Sequence, residues 1–405
     1  MKKIIALFVV LLCFAGVLSA EEKRMAPLGF PSAAGNGMGG SHVAYTSDMY
    51  ALFVNPAALQ WANQGSVVEL SSALIGPLNK FVKNGILLSD MLKNMENSFG
   101  GNSRSNPFGP ILDIIKGGKL PLGIDLRGPV SAAYTANGLG FGLFSRISAN
   151  ARVIGTDVDG AVYGDFMLPF GMSFNILKTG DHELAGGFVL KPFIRIMGDI
   201  NLSALSLVNN SNLLEDIPAS MIGGLGSDLG LLYRFRQNLA AGFTVADLYT
   251  AGGKMSDING TSPNSIYRVP LSLNFGAAYT FRPADLWQGM GMLNSSYAAF
   301  TVDWHGLNNV FTWNDRIHRN PILDLGLGAE IGLFDFLKLR VGLRDMLPMM
   351  GLGLESRAVK FNIALFGKEM GIEPGVNSTM ALDMSIAFRL DTQKREWSWS
   401  KALLN

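Results

Sequence analysis

The 405-residue sequence contains a single cysteine, Cys13, and little charge. Cys13 lies within the first twenty residues, so a chain cleaved after that segment has no disulfide, thiolate catalysis or cysteine–zinc site. Charged residues make up 16% of the chain, well below the about 25% of soluble proteins. The net charge of +1 gives no reason to expect nucleic acid or an acidic partner.

Long hydrophobic runs are also missing after the first twenty residues. None approaches the roughly 18 uncharged apolar residues of a transmembrane helix, although the mean hydropathy is +0.24 and glycine occurs 48 times. This combination argues against a helical membrane protein. It fits a membrane β-barrel, because only alternate residues of each strand face lipid.

The first twenty residues, MKKIIALFVVLLCFAGVLSA, combine two lysines, an apolar core and a Leu-Ser-Ala end. This pattern predicts an export signal peptide over residues 1–20, cleaved after Ala20. Two alternatives remain. A membrane anchor would need about 20 apolar residues, more than are present, and lipoprotein processing at Cys13 would leave a product that begins with a hydrophobic run.

Apolar residues alternate strictly with polar or small ones in the segments 269–281, 337–344, 359–365 and 379–390. Alternation with a period of two predicts β-strands. Several runs exceed the about six residues of a sandwich strand and match the length of a tilted strand that crosses a bilayer. About fourteen candidate strands occur between residues 66 and 390.

The connections between these strands alternate between short turns and long loops, as in outer-membrane barrels with periplasmic turns. We therefore predict an all-β protein: a transmembrane antiparallel β-barrel of about fourteen strands over residues 66–390, in the outer membrane. Residues 391–405 are expected to form a periplasmic C-terminal tail.

Residues 21–65 are too polar and glycine-rich for the barrel wall. They contain GNGMGG, then Ala-Tyr-Thr-Ser-Asp, then Asn55-Pro56-Ala57 just before the first strand. Locally, Asn55 can cap a short helix that begins at Pro56. This arrangement resembles the outer-membrane long-chain fatty-acid transporter (FadL) family, whose PorV-type secretion-associated relatives have a similar opening. The resemblance implies a monomeric fourteen-stranded barrel whose lumen is plugged by an N-terminal hatch, residues 21–65, that carries Asn55, Pro56 and Ala57.

The same resemblance implies passive uptake of hydrophobic compounds, above all long-chain fatty acids, from extracellular loops through a hatch-gated passage. Outer-membrane lipids would surround the barrel, and no cofactor would be needed. The alternatives are a PorV-like secretion partner, a general porin and a soluble periplasmic β-protein. An enzyme is not expected: the four histidines show no metal-ligand spacing, no serine nucleophile can be assigned, and no metal site is predicted.

Two sets of residues are candidates for ligand contact. Apolar residues at helical spacing in two long loops form either a lipid-binding groove or a packed cap. These residues are Leu87, Leu88, Met91, Leu92, Met95, Leu202, Leu205 and Leu213. Lys338, Arg340 and Arg344 cluster on one strand, where they would meet a carboxylate headgroup or pair with lumenal acids.

Three closely spaced glycines are candidates for a distortion of the third strand, on which the lateral exit of the FadL family depends. Gly138, Gly140 and Gly142 would permit a kink there, because glycine weakens a strand and tolerates bulges.

Overall fold

The protein was analysed as a computed structural model, which describes residues 21–76, 122–154, 157–203, 219–236, 238–258, 265–283, 295–312 and 319–390. The predicted signal peptide and C-terminal tail lie outside these residues. The described strands form one sheet of 18 strands. Among the described residues, no helix is both long and apolar enough to cross a membrane.

The bounds of the strands follow the alternating segments of the sequence. They are β1 Glu21–Arg24, β2 Gly65–Ile75, β3 Leu122–Ala136, β4 Leu139–Ile154, β5 Asp157–Met167, β6 Phe170–Thr179, β7 His182–Ser203, β8 Ala219–Phe235, β9 Leu239–Ala246, β10 Ala251–Ile258, β11 Ser265–Arg268, β12 Ser272–Phe281, β13 Tyr297–Trp304, β14 Leu325–Leu333, β15 Leu337–Arg344, β16 Leu347–Glu355, β17 Val359–Glu369 and β18 Ser378–Arg389.

The sheet closes on itself because β2 pairs antiparallel with β18, from Val67 opposite Arg389 to Ile75 opposite Ala381. Three wall strands are each interrupted once and therefore appear as two elements: β5 with β6, β9 with β10, and β11 with β12. β1 lies outside the antiparallel order and pairs parallel with β11. The wall is thus a closed antiparallel barrel of fourteen strands, which confirms the predicted fold class.

Short turns follow β3, β6, β8, β14 and β16, and we call this end of the barrel the turn end. The opposite end is the loop end. One tight turn lies at the loop end, where Asp345 and Met346 join β15 to β16 with positive φ angles of 57° and 60°. That hairpin makes the wall low on this side: β15 has 8 residues and β16 has 9, against 22 in β7.

Side chains alternate between the two faces of the wall. On β5, Asp165 is buried while its neighbour Phe166 is 42% exposed, and on β13 the same holds for Asp303 and Val302. The exposed side chains are apolar across the wall and the buried ones include many charges. An apolar exterior around a closed barrel is the arrangement that a lipid environment requires, since closure satisfies every strand edge.

The third wall strand, β4, is regular where the three glycines lie. Gly138 is in the turn before β4 with φ 80°, while Gly140 and Gly142 pair in register with Thr135 and Ala133. The kink predicted at these glycines is therefore not found there. The shift in pairing lies instead between Arg127 and Ser131 on the neighbouring strand β3, where Gly128 has φ 94°.

Candidate functional site

Residues 25–64, which we call the inner segment, lie inside the barrel. The segment contains one short α-helix, α1 (Ala33–Gly37), and two 3₁₀ helices, Met49–Leu52 and Pro56–Trp61. Each begins at a residue whose side chain accepts a backbone N–H: Ser32, Asp48 and Asn55. The sequence pattern at Asn55 and Pro56 thus starts a helix as predicted, although it is a 3₁₀ helix.

Asn55 also fixes the inner segment to the wall. Its Oδ1 accepts the Ala57 N–H at 3.1 Å, and its Nδ2 donates to the Val43 carbonyl at 3.0 Å and to the Leu231 carbonyl of β8 at 3.2 Å. The side chain is completely buried, so each of these polar atoms depends on its protein partner.

Glycines on the inner face of the wall make room for this helix. A Cβ atom on Gly187 of β7 would lie 2.5 Å from the Pro56 carbonyl carbon and from the Ala57 nitrogen. A Cβ on Gly140 of β4 would lie 2.7 Å from a methyl group of Leu59. Gly140 therefore serves the close approach of the inner segment, which explains a glycine that the sequence suggested as a kink.

Three arginines of the wall, on β3, β4 and β7, hold the first part of the inner segment. Arg127, Arg146 and Arg195 are inward-facing, and each binds an aspartate and also donates from Nη1 to a backbone carbonyl. The sets are Arg127 with Asp383 and the Pro31 carbonyl, Arg146 with Asp125 and the Gly29 carbonyl, and Arg195 with Asp165 and the Ala26 carbonyl. The lumenal charges thus pair with one another and with the inner segment.

A second point of attachment lies at residues 40–43. Asp303 Oδ2 accepts the N–H groups of His42 at 2.5 Å and of Val43 at 2.7 Å, and His305 Nε2 lies 3.1 Å from the Gly40 carbonyl. Burial lowers the pKa of His42 to about 4. Burial, reinforced by the Arg344 cation and His42, lowers the pKa of His305 well below its ordinary value. Both imidazoles are therefore neutral at neutral pH.

Two cavities lie on opposite sides of the inner segment among the described residues. Gly35 lines the lower cavity, which has a volume of about 310 Å³ and lies towards the turn end. Asn36 and Gly40 line the upper cavity, which has a volume of about 250 Å³ and lies towards the loop end. α1 and the residues that follow it form the barrier between the two.

The upper cavity combines an apolar wall with cationic groups. Ile75, Met349 and Phe366 form its apolar side and belong to one buried cluster. Arg344 and Lys368 also line it, and neither forms an ion pair within 4.0 Å or a side-chain hydrogen bond with any residue in the described ranges. Three acids line the cavity as well, Asp125, Asp345 and Glu369, and Asp345 acts electrostatically on both cations from a longer distance. An amphipathic acid could place its chain against the first group and its carboxylate near the second.

The predicted headgroup residues do not form one site. Arg344 lines the upper cavity, whereas Lys338 and Arg340 line the lower cavity on the other side of the inner segment. Lys338 Nζ lies 2.8 Å from Glu355 Oε2, and Arg340 Nε lies 2.5 Å from Glu330 Oε2, so both already have acidic partners. Only Arg344 of the three is placed beside an apolar wall.

The predicted loop groove can be located only in part. Leu202 lies in β7 opposite Val158, and the other residues of the groove lie outside the described residues. In the ranges that the structure describes, no three His, Cys, Asp or Glu side chains form a group suited to a metal ion.

The sequence prediction missed Phe366, Lys368, Ile75 and Met349. A signal for the first two was present, because Phe366 and Lys368 share the inward parity of Lys360 and Asn362 on β17. The sequence pattern that marks the upper cavity is therefore an apolar residue near the loop end, at a position where the alternation of the strand points the side chain into the lumen.

No family model matches the chain, and no curated protein matches it in sequence. Solved structures similar to it include a mutant of the TodX monoaromatic hydrocarbon channel (13% identity, 89% of this chain, 99% of that chain, TM-score 0.49). They also include the Ralstonia pickettii toluene transporter TbuX (11%, 90%, 99%, 0.43) and a Pseudomonas aeruginosa FadL homologue (12%, 90%, 100%, 0.42).

Proposed function

We propose that this barrel takes up hydrophobic compounds that carry an acid group, long-chain fatty acids above all, across an outer membrane. The observation that carries the proposal is the upper cavity, where Arg344 and Lys368 form no ion pair within 4.0 Å among the described residues and stand beside Ile75, Met349 and Phe366. Carboxylates that line the same cavity act on these cations only from longer distances. A buried cation that no carboxylate contacts directly is costly, and a carboxylate ligand relieves that cost.

The chain of the ligand supplies the affinity. Moving each CH₂ group from water to an apolar wall is favourable by about 0.8 kcal/mol. The carboxylate supplies orientation, because Arg344 and Lys368 fix the end of the ligand that carries the charge. Capture would begin at the loop end, on Leu202 at the end of β7 and on the residues predicted to lie in long loops, Leu87, Leu88, Met91, Leu92, Met95, Leu205 and Leu213.

The inner segment would act as the hatch. It separates the upper from the lower cavity, so passage needs a displacement of the inner segment or a route through the wall. A segment that fills the lumen in this way speaks against a general porin. Ligand transfer between apolar sites needs no nucleotide or redox cofactor.

The test is a binding measurement on the full chain in detergent. Labelled oleate should bind, and mass spectrometry should detect an apolar acid that co-purifies. Arg344→Gln combined with Lys368→Gln should weaken oleate binding by at least about tenfold, because each charged hydrogen bond contributes about 1.5–3 kcal/mol. Binding of methyl oleate should change little.

The control is Lys178→Gln, since Lys178 is an exposed cation near the turn end, 69% exposed and paired with Glu183. This variant should bind oleate like the wild type. Absence of any apolar ligand and of oleate binding would contradict the proposal. If the protein then co-purified with a secretion complex, a PorV-like role would replace it.

A further inference from the structure

The lower cavity is a second lumenal chamber with a different lining. It lies at the turn end, beneath the inner segment, and contains no leucine, isoleucine, valine or phenylalanine among its described lining residues. Its lining includes two acids, Asp48 and Glu330, and a larger number of cations. The cations are Arg234, Arg282, Lys338, Arg340 and Lys360.

Three of these five cations have a carboxylate partner. The pairs are Arg340–Glu330 at 2.5 Å, Lys338–Glu355 at 2.8 Å and Lys360–Asp48 at 3.2 Å. Two tyrosine hydroxyls reinforce the first pair, since Tyr45 and Tyr297 both donate to Glu330. The acids of the lining are therefore already engaged, and they leave no carboxylate for the remaining two arginines.

Arg234 and Arg282 form no ion pair within 4.0 Å in the part of the chain that the structure describes. The Glu183 carboxylate acts on the Arg234 guanidinium from a longer distance, and the like charge of Arg282 opposes it. The Arg234 guanidinium lies over the Trp61 ring, 4.3 Å from its centroid. Trp61 is itself fixed, because its Nε1 donates to Glu183 Oε2 at 3.1 Å. Stacking uses the face of the guanidinium and leaves its N–H groups, which lie in the plane, available to a ligand.

We propose that the lower cavity binds an oxyanion, a carboxylate or a phosphate group, between Arg234 and Arg282. Two guanidinium groups at a polar cavity provide planar donor pairs, which match the oxygens of a carboxylate or phosphate. Bound there, the anion relieves the repulsion between the two arginines. A cleft with an excess of positive charge also concentrates anions from the solution.

Two sources of such an anion share this chemistry. One is a small phosphate or carboxylate solute that enters from the turn end. The other is the headgroup of an acid that has passed the inner segment, and this second source rests on the proposed function. The polar lining favours the headgroup of the ligand over its apolar chain, so the site would bind only the charged end of the ligand.

The experiment measures binding to the full chain in a neutral detergent by equilibrium dialysis with three labelled probes: inorganic phosphate, acetate and octanoate. Arg234→Gln and Arg282→Gln are each expected to weaken binding by about tenfold or more, as for the loss of a charged hydrogen bond. Arg236→Gln is the matched control, because Arg236 lies two residues from Arg234 but is 66% exposed and paired with Asp181 at 2.7 Å.

Saturable binding of any probe that depends on Arg234 and Arg282 but not on Arg236 supports the site. If phosphate or acetate binds, a small solute is sufficient to occupy the site. If octanoate alone binds, the ligand is the headgroup of an apolar acid. No saturable binding, or binding that both substitutions leave unchanged, overturns the proposal. The Arg344→Gln, Lys368→Gln double variant keeps phosphate and acetate binding here even if oleate binding is lost, so the two proposals fail separately.

Discussion

The two cavities of the lumen differ in what they offer to an apolar chain. The upper cavity presents Ile75, Met349 and Phe366, whereas the lower cavity has no branched aliphatic or phenylalanine side chain among its described lining residues. Both carry cations that form no ion pair within 4.0 Å among the described residues. An amphipathic acid would therefore be held whole in the upper cavity and by its charged end alone in the lower one.

The inner segment separates the two cavities and so maintains the difference between their linings. It stays in place because it is attached to the wall at several places along its length. Arginines hold residues 26–31, Asp303 holds residues 42–43, and glycines on the wall accommodate residues 55–59. These attachments are mainly polar or depend on close backbone approach. If any of these attachments is weakened, the inner segment should move away from the wall. The two cavities should then become connected.

The largest loss of stability is expected for Arg127→Met. Arg127 binds the Pro31 carbonyl, just before α1. Arg127 and its partner Asp383 are both completely buried, so the substitution leaves an uncompensated carboxylate. Removing one partner of a buried pair costs about 3–5 kcal/mol. The midpoint of urea unfolding, followed by tryptophan fluorescence, should fall strongly. Arg236→Met, in an exposed pair, should shift it little, and equal effects of the two variants would contradict the account.

A smaller effect is expected for Gly187→Val, which places side-chain atoms against the backbone of Pro56 and Ala57. Overpacking of this kind costs about 1–3 kcal/mol. The barrel should still form, but the inner segment should be displaced, so single-channel conductance should rise above that of the wild type. Gly164→Val is the control, because a Cβ on Gly164 meets no atom within 4 Å. Wild-type conductance in Gly187→Val would show that this contact does not hold the barrier.

Asn55→Ala should have a moderate effect. It removes the cap of the 3₁₀ helix and the bond to the Leu231 carbonyl, at a cost of about 1–2 kcal/mol. The barrel should remain folded and uptake of labelled oleate should be impaired. The test is uptake into cells that produce equal amounts of folded protein, and normal uptake would remove Asn55 from the mechanism.

The smallest effect on the attachment of the inner segment is expected from a change in pH. Because the pKa of His42 falls from 6.5 to about 4 in the folded state, a displaced inner segment binds more protons than the attached one between these values. The contribution of His42 to the attachment is therefore fully present above pH 6.5 and is lost as the pH falls towards about 4. Protease cleavage of the inner segment should increase over that range. His42→Gln should flatten the profile, and an unchanged profile would exclude His42 as the cause.

The barrel could be predicted from the sequence because alternation is a local property: each segment such as 379–390 carries its own evidence. The start of a helix at Asn55 and Pro56 was predictable for the same reason. The upper cavity was not, because Ile75 of β2 joins Arg344, Met349 and Phe366 of β15, β16 and β17 only after β2 pairs with β18 and closes the barrel. The role of Gly140 also depends on a residue distant in the sequence, Leu59, and a glycine pattern alone cannot distinguish close packing from a kink.

The most direct test of the account is to locate a long-chain acid labelled with bromine near its carboxylate in crystals of the complex. We predict that anomalous scattering places the bromine in the upper cavity, between Arg344 and the side chains of Met349 and Phe366. Bromine found only on the outer surface of the barrel, or no ordered bromine in protein shown to bind the acid in solution, would contradict it.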